Sequence, residues 1–293
     1  MKRWRSLFRV IGIMSGVLGI VAIVRKPKST YCDKPEEQNP FEGRMVRFIR
    51  DENDPANADG IHGHLEEDQE LLVGKRHKTN FYEDRIKRCF DLILSFMGLI
   101  ALSPLLLILS IAIYLDDPGP VLFTQKRMGR NKRYFKLHKF RTMKMSTPHD
   151  VPTHMLQDPQ SYITRVGKLL RKMSLDELPQ LWDIFLGNMS LVGPKPGLWN
   201  QDVLTAERDR YGANDVKPGL TGWAQINGRD ELLLEDKARL DGEYCDNISI
   251  KMDLVCLLAT VVNVLKQNGI IEGGTGALTG YIEERYKEIE DKK

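Results

Sequence analysis

Residues 92–115 read LILSFMGLIALSPLLLILSIAIYL, twenty-four residues without a charge and with Ser103-Pro104 at their centre. A run of that length is enough to cross a bilayer as a helix. Two features argue against a straight span. Pro104 has no N–H for the i→i−4 ladder, so a helix through it kinks. Basic residues also flank both ends, with Arg85, Lys87 and Arg88 before the run and Lys126, Arg127, Arg130, Lys132 and Arg133 after it. Lys and Arg collect on the cytoplasmic side of membranes, so both flanks favour one face. A helix that enters, breaks at Ser103-Pro104 and returns meets both conditions. A Pro-kinked spanning helix is the alternative, and the run alone does not choose between them.

Upstream, Val10–Val24 is a second uncharged run, fifteen residues between Lys2, Arg3, Arg5 and Arg9 on one side and Arg25, Lys26 and Lys28 on the other. Its basic and apolar regions resemble a signal peptide, yet no Ala-x-Ala-like site follows. An uncleaved anchor fits better, and at this length a surface-lying helix fits as well. Residues 25–84 are polar and punctuated by Pro and Gly, with Arg44–Arg50 reading as one short strand. Asp51–Asp54 invites a calcium loop, but Ala56 stands where an EF-hand needs Gly and His62 where it needs Glu, so a solvated linker is expected.

Downstream of Gly119 the pattern is α/β. Val121–Lys126 and Tyr134–Met143 form an expected hairpin about Gly129-Arg130-Asn131. Ser161–Met173 reads as a basic amphipathic helix of interfacial type. Met252–Leu265 is nearly all apolar but too short to span, so a buried or interfacial helix is expected. The end of the chain is a charged tail. The 293 residues carry 43 Lys/Arg against 40 Asp/Glu, so global charge names no partner. Four well-separated cysteines with no Cys-x-x-Cys argue against a disulfide framework or a zinc ribbon.

Three stretches can carry chemistry. Between Lys126 and Lys144 stand nine Lys/Arg and no acid, able to hold a diphosphate, face anionic lipid or simply be solvated. Interleaved Tyr134, Phe135 and Phe140 make nucleic acid conceivable, but the adjacent apolar run makes it the weaker reading. Ser174-Leu175-Asp176-Glu177-Leu178-Pro179 reads either as a capping box from Ser174 to Glu177 or as an Asp176 cap with Pro179 in the first turn. Both readings crowd two carboxylates at a helix N-terminus, where they can act as nucleophile and base or share a divalent cation. Leu191–Gly197 (LVGPKPG) cannot be regular structure by its prolines and glycines, and would present Lys195 to an anion. Lys217-Pro218-Gly219 and Asn227-Gly228-Arg229 are turn signals, the second exposing Arg229 near Trp223.

Together these stretches resemble the monotopic phosphoglycosyl transferases, the bacterial sugar transferase family, over roughly Tyr82 to Gly274. The matching segments are KRCFD (87–91) leading into the Ser103-Pro104 run, GPVLF (119–123), KFRTM (139–143), RKMSLDELPQ (171–180), LVGPKP (191–196) and KPGLTGWAQINGR (217–229). One departure is Lys195, where the family usually has Arg; Lys keeps the charge and loses the bidentate fork.

The resemblance implies a mainly helical α/β membrane-associated domain with a re-entrant helix broken at Ser103 and Pro104, and amphipathic interfacial helices. A separate N-terminal hydrophobic segment (1–30) and a polar linker or accessory segment (31–81) precede the catalytic domain (82–275, re-entrant helix about 89–115). A charged tail (276–293) follows. The activity implied is transfer of a sugar-1-phosphate from a UDP-sugar to polyprenyl (undecaprenyl) phosphate, releasing UMP through a covalent aspartyl-phosphosugar, with Mg²⁺. Such a reaction starts membrane-linked glycans: capsule, exopolysaccharide, O-antigen or glycoprotein. Asp176 would be the nucleophile and Glu177 a base or, with Asp176, part of the metal site. Arg141, Arg171, Pro194, Lys195, Pro196 and Arg229 would bind substrate. Partners implied are membrane lipid, a second copy of the chain and downstream glycosyltransferases, with no nucleic acid. The expected location is the bacterial inner membrane, with the catalytic domain cytoplasmic. Two rivals are an Asp-x-Asp glycosyltransferase, disfavoured because no Asp-x-Asp occurs, and a non-catalytic adaptor for anionic lipid or nucleic acid.

Overall fold

The computed structural model describes residues 38–51, 63–68, 76–147, 159–228 and 232–266. The Val10–Val24 run, the 276–293 tail and Arg229 lie outside the described residues.

Leu, Ile and Met without intervening charge make α1 (Arg88–Asp116), entered through a widened helical turn at Tyr82–Lys87. Its 29 residues run about 43 Å. The helix continues through Ser103-Pro104. Pro104 offers no N–H to the Ile100 carbonyl, and the Ser103 hydroxyl donates to that carbonyl instead, at 2.8 Å. The helix stops at Asp117, whose extended backbone is the conformation favoured before Pro118.

One face of α1 lies against the rest of the protein along its whole length. At the start, Arg88 donates to the Ile184 and Phe185 carbonyls (2.7 and 2.9 Å), capping α3 (Gln180–Leu186). Asp91 accepts from Ser190 Oγ and the Leu191 N–H. In the middle, Leu99 and Leu102 pack on Leu137, Leu181 and Ile184. Towards the end, Leu109 and Ile113 join Val121, Phe140 and Leu170. Finally Asp116 accepts from the Val166 N–H of α2 (Arg165–Lys172). Both ends of the helix are therefore fastened to one body. The opposite face, with Ile93, Met97, Ile108, Ile111 and Leu115, is exposed. So are Leu169 of α2 and Met173 just after it, Leu186, and Leu254, Leu258 and Val261 of α7 (Ile250–Lys266).

Among the described residues, three two-stranded sheets accompany the helices. The expected hairpin forms as β3 (Leu122–Met128) and β4 (Tyr134–Phe140), antiparallel. Its turn needs Asn131 and Lys132 both left-handed, at φ +55° and +63°. The strand expected at Arg44–Arg50 is β1 (Val46–Arg50), and its antiparallel partner β2 (Gly63–Glu67) was not foreseen. The chain before β1 closes on the hairpin turn. Asn39 Nδ2 donates to the Lys132 carbonyl at 2.8 Å, and the Gly43 N–H to the Asn131 carbonyl at 2.9 Å. Behind the turn, Lys132 Nζ is buried on Asp209 of α4 (Asp202–Asp209), which also accepts from the Val46 N–H and Asn214.

The expectation that 191–197 has no regular structure is corrected at its start. Ser190–Val192 is β5, parallel to β6 (Gly219–Thr221). The pairing works because glycines interlock: a Cβ on Gly193 would stand 2.4 Å from the Lys217 carbonyl oxygen, and one on Gly219 would stand 2.1 Å from the Gly193 nitrogen. The short helix α5 (Trp223–Ile226) follows, then α6 (Leu234–Asp246) and the largely apolar α7. Val192, Ala213, Val216, Tyr244, Cys245, Ile248 and Cys256 form the core between these elements. Asp253 ties α7 to the start of α1, accepting from Lys87, Tyr82 and Tyr244.

Candidate active site

Asp176 and Glu177 sit in a tight turn, Leu175–Glu177, between α2 and α3. Neither sequence reading of a cap is realised. Ser174 is left-handed (φ +54°) and makes no side-chain cap, and α3 begins after Pro179 without a side-chain cap. The left-handed step reverses the chain after α2. It leaves both carboxylates partly accessible on a short turn facing the hairpin.

The hairpin register explains which cations meet them. Phe123 pairs with Lys139 and Arg127 with Phe135, so Arg127 and Lys139 share a face of the sheet. Lys139 Nζ lies 2.8 Å from Glu177 Oε1, and Lys195 Nζ lies 3.9 Å from the same oxygen. Arg127 is held by the Pro196 carbonyl at 3.1 Å and by Gln125 at 2.6 Å. Burial alone raises Glu177, but Lys139, Lys195 and Arg127 outweigh it and bring its pKa to about 2. Asp176 goes the other way. Burial holds it above the ordinary carboxylate range and the Glu177 charge adds to this, against Lys139, Arg171 and Lys195. Two neighbouring carboxylates thus divide: Glu177 is held as an anion, whereas Asp176 is the more basic of the two.

Of the residues singled out in the sequence, the structure gathers Asp176, Glu177, Arg171 and Lys195. Pro194 and Pro196 contribute carbonyls, to the Gly219 N–H and to Arg127. Arg141 is directed elsewhere: its guanidinium is bound to the Asp117 carboxylate at 2.7 Å and to the Asp117 carbonyl. Trp223 donates to Glu243 at 3.2 Å and packs partly buried on the core. Sequence reading did not single out Lys139 within its basic run. Alternation along β4 could have separated it from His138, whose backbone N–H and ring are both taken up by buried Asp183.

Among the described residues no three His, Cys, Asp or Glu side chains gather as a metal cluster. Mg²⁺ commonly uses only one or two carboxylates and completes its shell with water and substrate phosphates. The adjacent carboxylates of Asp176 and Glu177 fit that donor requirement.

The bacterial sugar transferase family model matches residues 82–267, and the chain belongs to this family. It is 41% identical over 203 residues to the undecaprenyl-phosphate glucose phosphotransferase of Komagataeibacter xylinus, covering 65% of this chain and 38% of that protein. It is 42% identical over 185 residues to the uncharacterized sugar transferase EpsL of Bacillus subtilis, covering 63% and 90% respectively. Against the UDP-glucose:undecaprenyl-phosphate glucose-1-phosphate transferase of Escherichia coli it is 36% identical over 211 residues, 69% of this chain and 45% of that one. The first of these relatives extends well beyond the shared region.

Proposed function

We propose that the protein transfers a sugar-1-phosphate from a UDP-sugar to polyprenyl phosphate and releases UMP. The observation that carries this reading is the split dyad in a cationic pocket. Asp176 is raised by burial, while Lys139, Lys195 and Arg171 surround it with charge suited to a diphosphate. An Asp176 carboxylate oxygen attacks the sugar-bearing phosphorus. The bond to the bridging oxygen breaks, UMP leaves with that electron pair, and the sugar phosphate remains on Asp176. A phosphate oxygen of the polyprenyl acceptor then attacks the same phosphorus and expels the Asp176 carboxylate. Lys139 and Lys195 offset repulsion between the carboxylates and the diphosphate. Glu177, fixed as an anion, suits organising cations better than accepting a proton. Mg²⁺, when bound by the dyad, would supply further charge neutralisation on the diphosphate.

We place the reaction at the cytoplasmic face of the bacterial inner membrane, with α1 entering and returning on one side. The fastening of both its ends to one body supports that topology. A glycan-initiating role follows from the product, a lipid-linked sugar for later glycosyltransferases.

The test incubates purified protein with UDP-glucose, UDP-galactose or UDP-N-acetylgalactosamine and measures UMP. With the correct donor alone, one equivalent of UMP and a phosphosugar mass on the Asp176 peptide are expected. Asp176→Asn should give neither. UDP in place of UMP would identify a glycosyltransferase, and no nucleotide release would favour an adaptor.

A further inference from the structure

Pro194 and Pro196 bracket Lys195, and neither has an N–H with which the loop could hold itself. The loop is held by its carbonyls instead, four in succession. The Pro194 carbonyl accepts from the Gly219 N–H at 2.9 Å, that of Pro196 from Arg127 Nη1 at 3.1 Å and that of Gly197 from the Met128 N–H at 3.0 Å. The remaining one, that of Lys195 itself, accepts from Arg208 Nη2 at 2.9 Å. Arg208 comes from the last turn of α4 and is buried. Its Nε and Nη2 both donate to Oδ2 of the buried Asp241 of α6, at 2.9 and 2.6 Å. Nη2 carries two N–H groups, so it serves the carboxylate and the Lys195 carbonyl together. The next residue, Asp209, receives Lys132 from the hairpin turn. One turn of α4 thus holds both limbs that bring cations to the dyad, the hairpin with Lys139 and the loop with Lys195.

We propose that Arg208 is a positioning residue, which fixes the Lys195 backbone so that the Lys195 ammonium is presented to the diphosphate of the UDP-sugar. The inference rests on the reading of this site as one that takes a UDP-sugar. A lysine ends in a flexible four-carbon stem, so its aim depends on how firmly its backbone is anchored. Lys195 Nζ stands 3.9 Å from Glu177 Oε1, too long for a hydrogen bond, and its side chain is 39% exposed. The ammonium is therefore placed by its backbone more than by that partner. Arg208 acts through the main chain, its own charge being paired with Asp241.

Arg208→Lys keeps a cation for Asp241 and loses the fork that serves two acceptors at once. With the full-length protein in detergent, KM and kcat for UMP release are measured with the competent UDP-sugar. Arg208→Lys should raise KM about tenfold, the scale of one hydrogen bond from a charged group. It should change kcat by less than about threefold, because the lost binding is shared by ground and transition states. A misfolded fraction lowers apparent kcat and leaves KM where it was, so poor folding does not mimic this split. In a Lys195→Met background, which has no ammonium to aim, Arg208→Lys should raise KM by less than about twofold. If Arg208→Lys yields no folded protein, Asp241→Asn carries the same test, since it loosens Arg208 and leaves it in place. Its KM should rise about threefold with Lys195 present and stay level in the Lys195→Met background. An unmoved KM, or an equal rise in both backgrounds, overturns the proposal. Absence of UMP from the wild-type protein with every UDP-sugar would instead overturn the transferase reading, which separates the two failures.

Discussion

Asp176 is held above its ordinary value of 3.8 by burial, and this has a thermodynamic side. A carboxyl whose folded-state pKa is raised binds its proton more tightly in the native state. Its contribution to stability is therefore full below 3.8 and is lost as pH rises through the raised folded value. At neutral pH the native state carries the Asp176 charge, only partly accessible to solvent, at a cost. Asp176→Asn should abolish UMP release yet raise the melting midpoint at pH 7.5 by about 2–4 °C, with the gain vanishing at low pH. A thermal melt at both pH values checks this; a lower midpoint at pH 7.5 would contradict it. Glu177 has the opposite sign, with stability present above about 4.5 and lost as pH falls toward about 2. The dyad was legible because the SLDE segment matches a family motif. Lys139 was not, since a run of nine cations says nothing of strand register until both strands are paired. Arg141 misled for the same reason: in sequence it is as basic as its neighbours, and only the fold brings Asp117 to it.

Among the elements, α1 carries the clearest link from sequence to shape. Proline removed one donor and the preceding serine supplied another, so the helix passes Ser103-Pro104 with the Ile100 carbonyl satisfied. Ser103→Ala should cost about 1 kcal/mol, measurable by thermal melting in detergent, because that carbonyl then has no protein donor in an apolar setting. Topology is the larger test. Cysteines placed before Lys87 and after Leu115, with the native four removed, should both resist an impermeant maleimide in intact cells; labelling of one flank would mean a spanning helix. Elsewhere, single elements were harder to read. β2 contains Gly63 and His64 among acids and lacks the alternation that marks a half-buried strand. Pairing of β5 with β6 escaped notice because three-residue strands beside Pro and Gly look like loop until their glycines interlock.

For the molecule as a whole, the segment before the family region is not a mere tether. Asn39, Gly43 and Val46 close over the hairpin turn, and Lys132 is buried on Asp209 behind it, both about 1% exposed. Residues 31–81 read as linker in the sequence because the contacts by which Asn39, Gly43 and Val46 join the fold are long-range, made through one buried Asn side chain and backbone N–H groups. Asp209→Ala leaves Lys132 a buried charge without its carboxylate and should cost about 3–5 kcal/mol, seen as loss of the folded state on chemical denaturation. The same variant should lower UMP release at temperatures where the protein remains folded, because the loosened hairpin carries Arg127 and Lys139 to the dyad.

The long apolar helix has a practical consequence. Its inner side contributes Leu99, Leu102, Leu109 and Ile113 to two of the hydrophobic clusters that also hold the hairpin and α3. Excising it would remove a wall of the catalytic fold rather than a detachable handle. A trimmed, water-soluble version of this protein should therefore misfold, and screening for inhibitors has to be done on the amphiphile-bound whole.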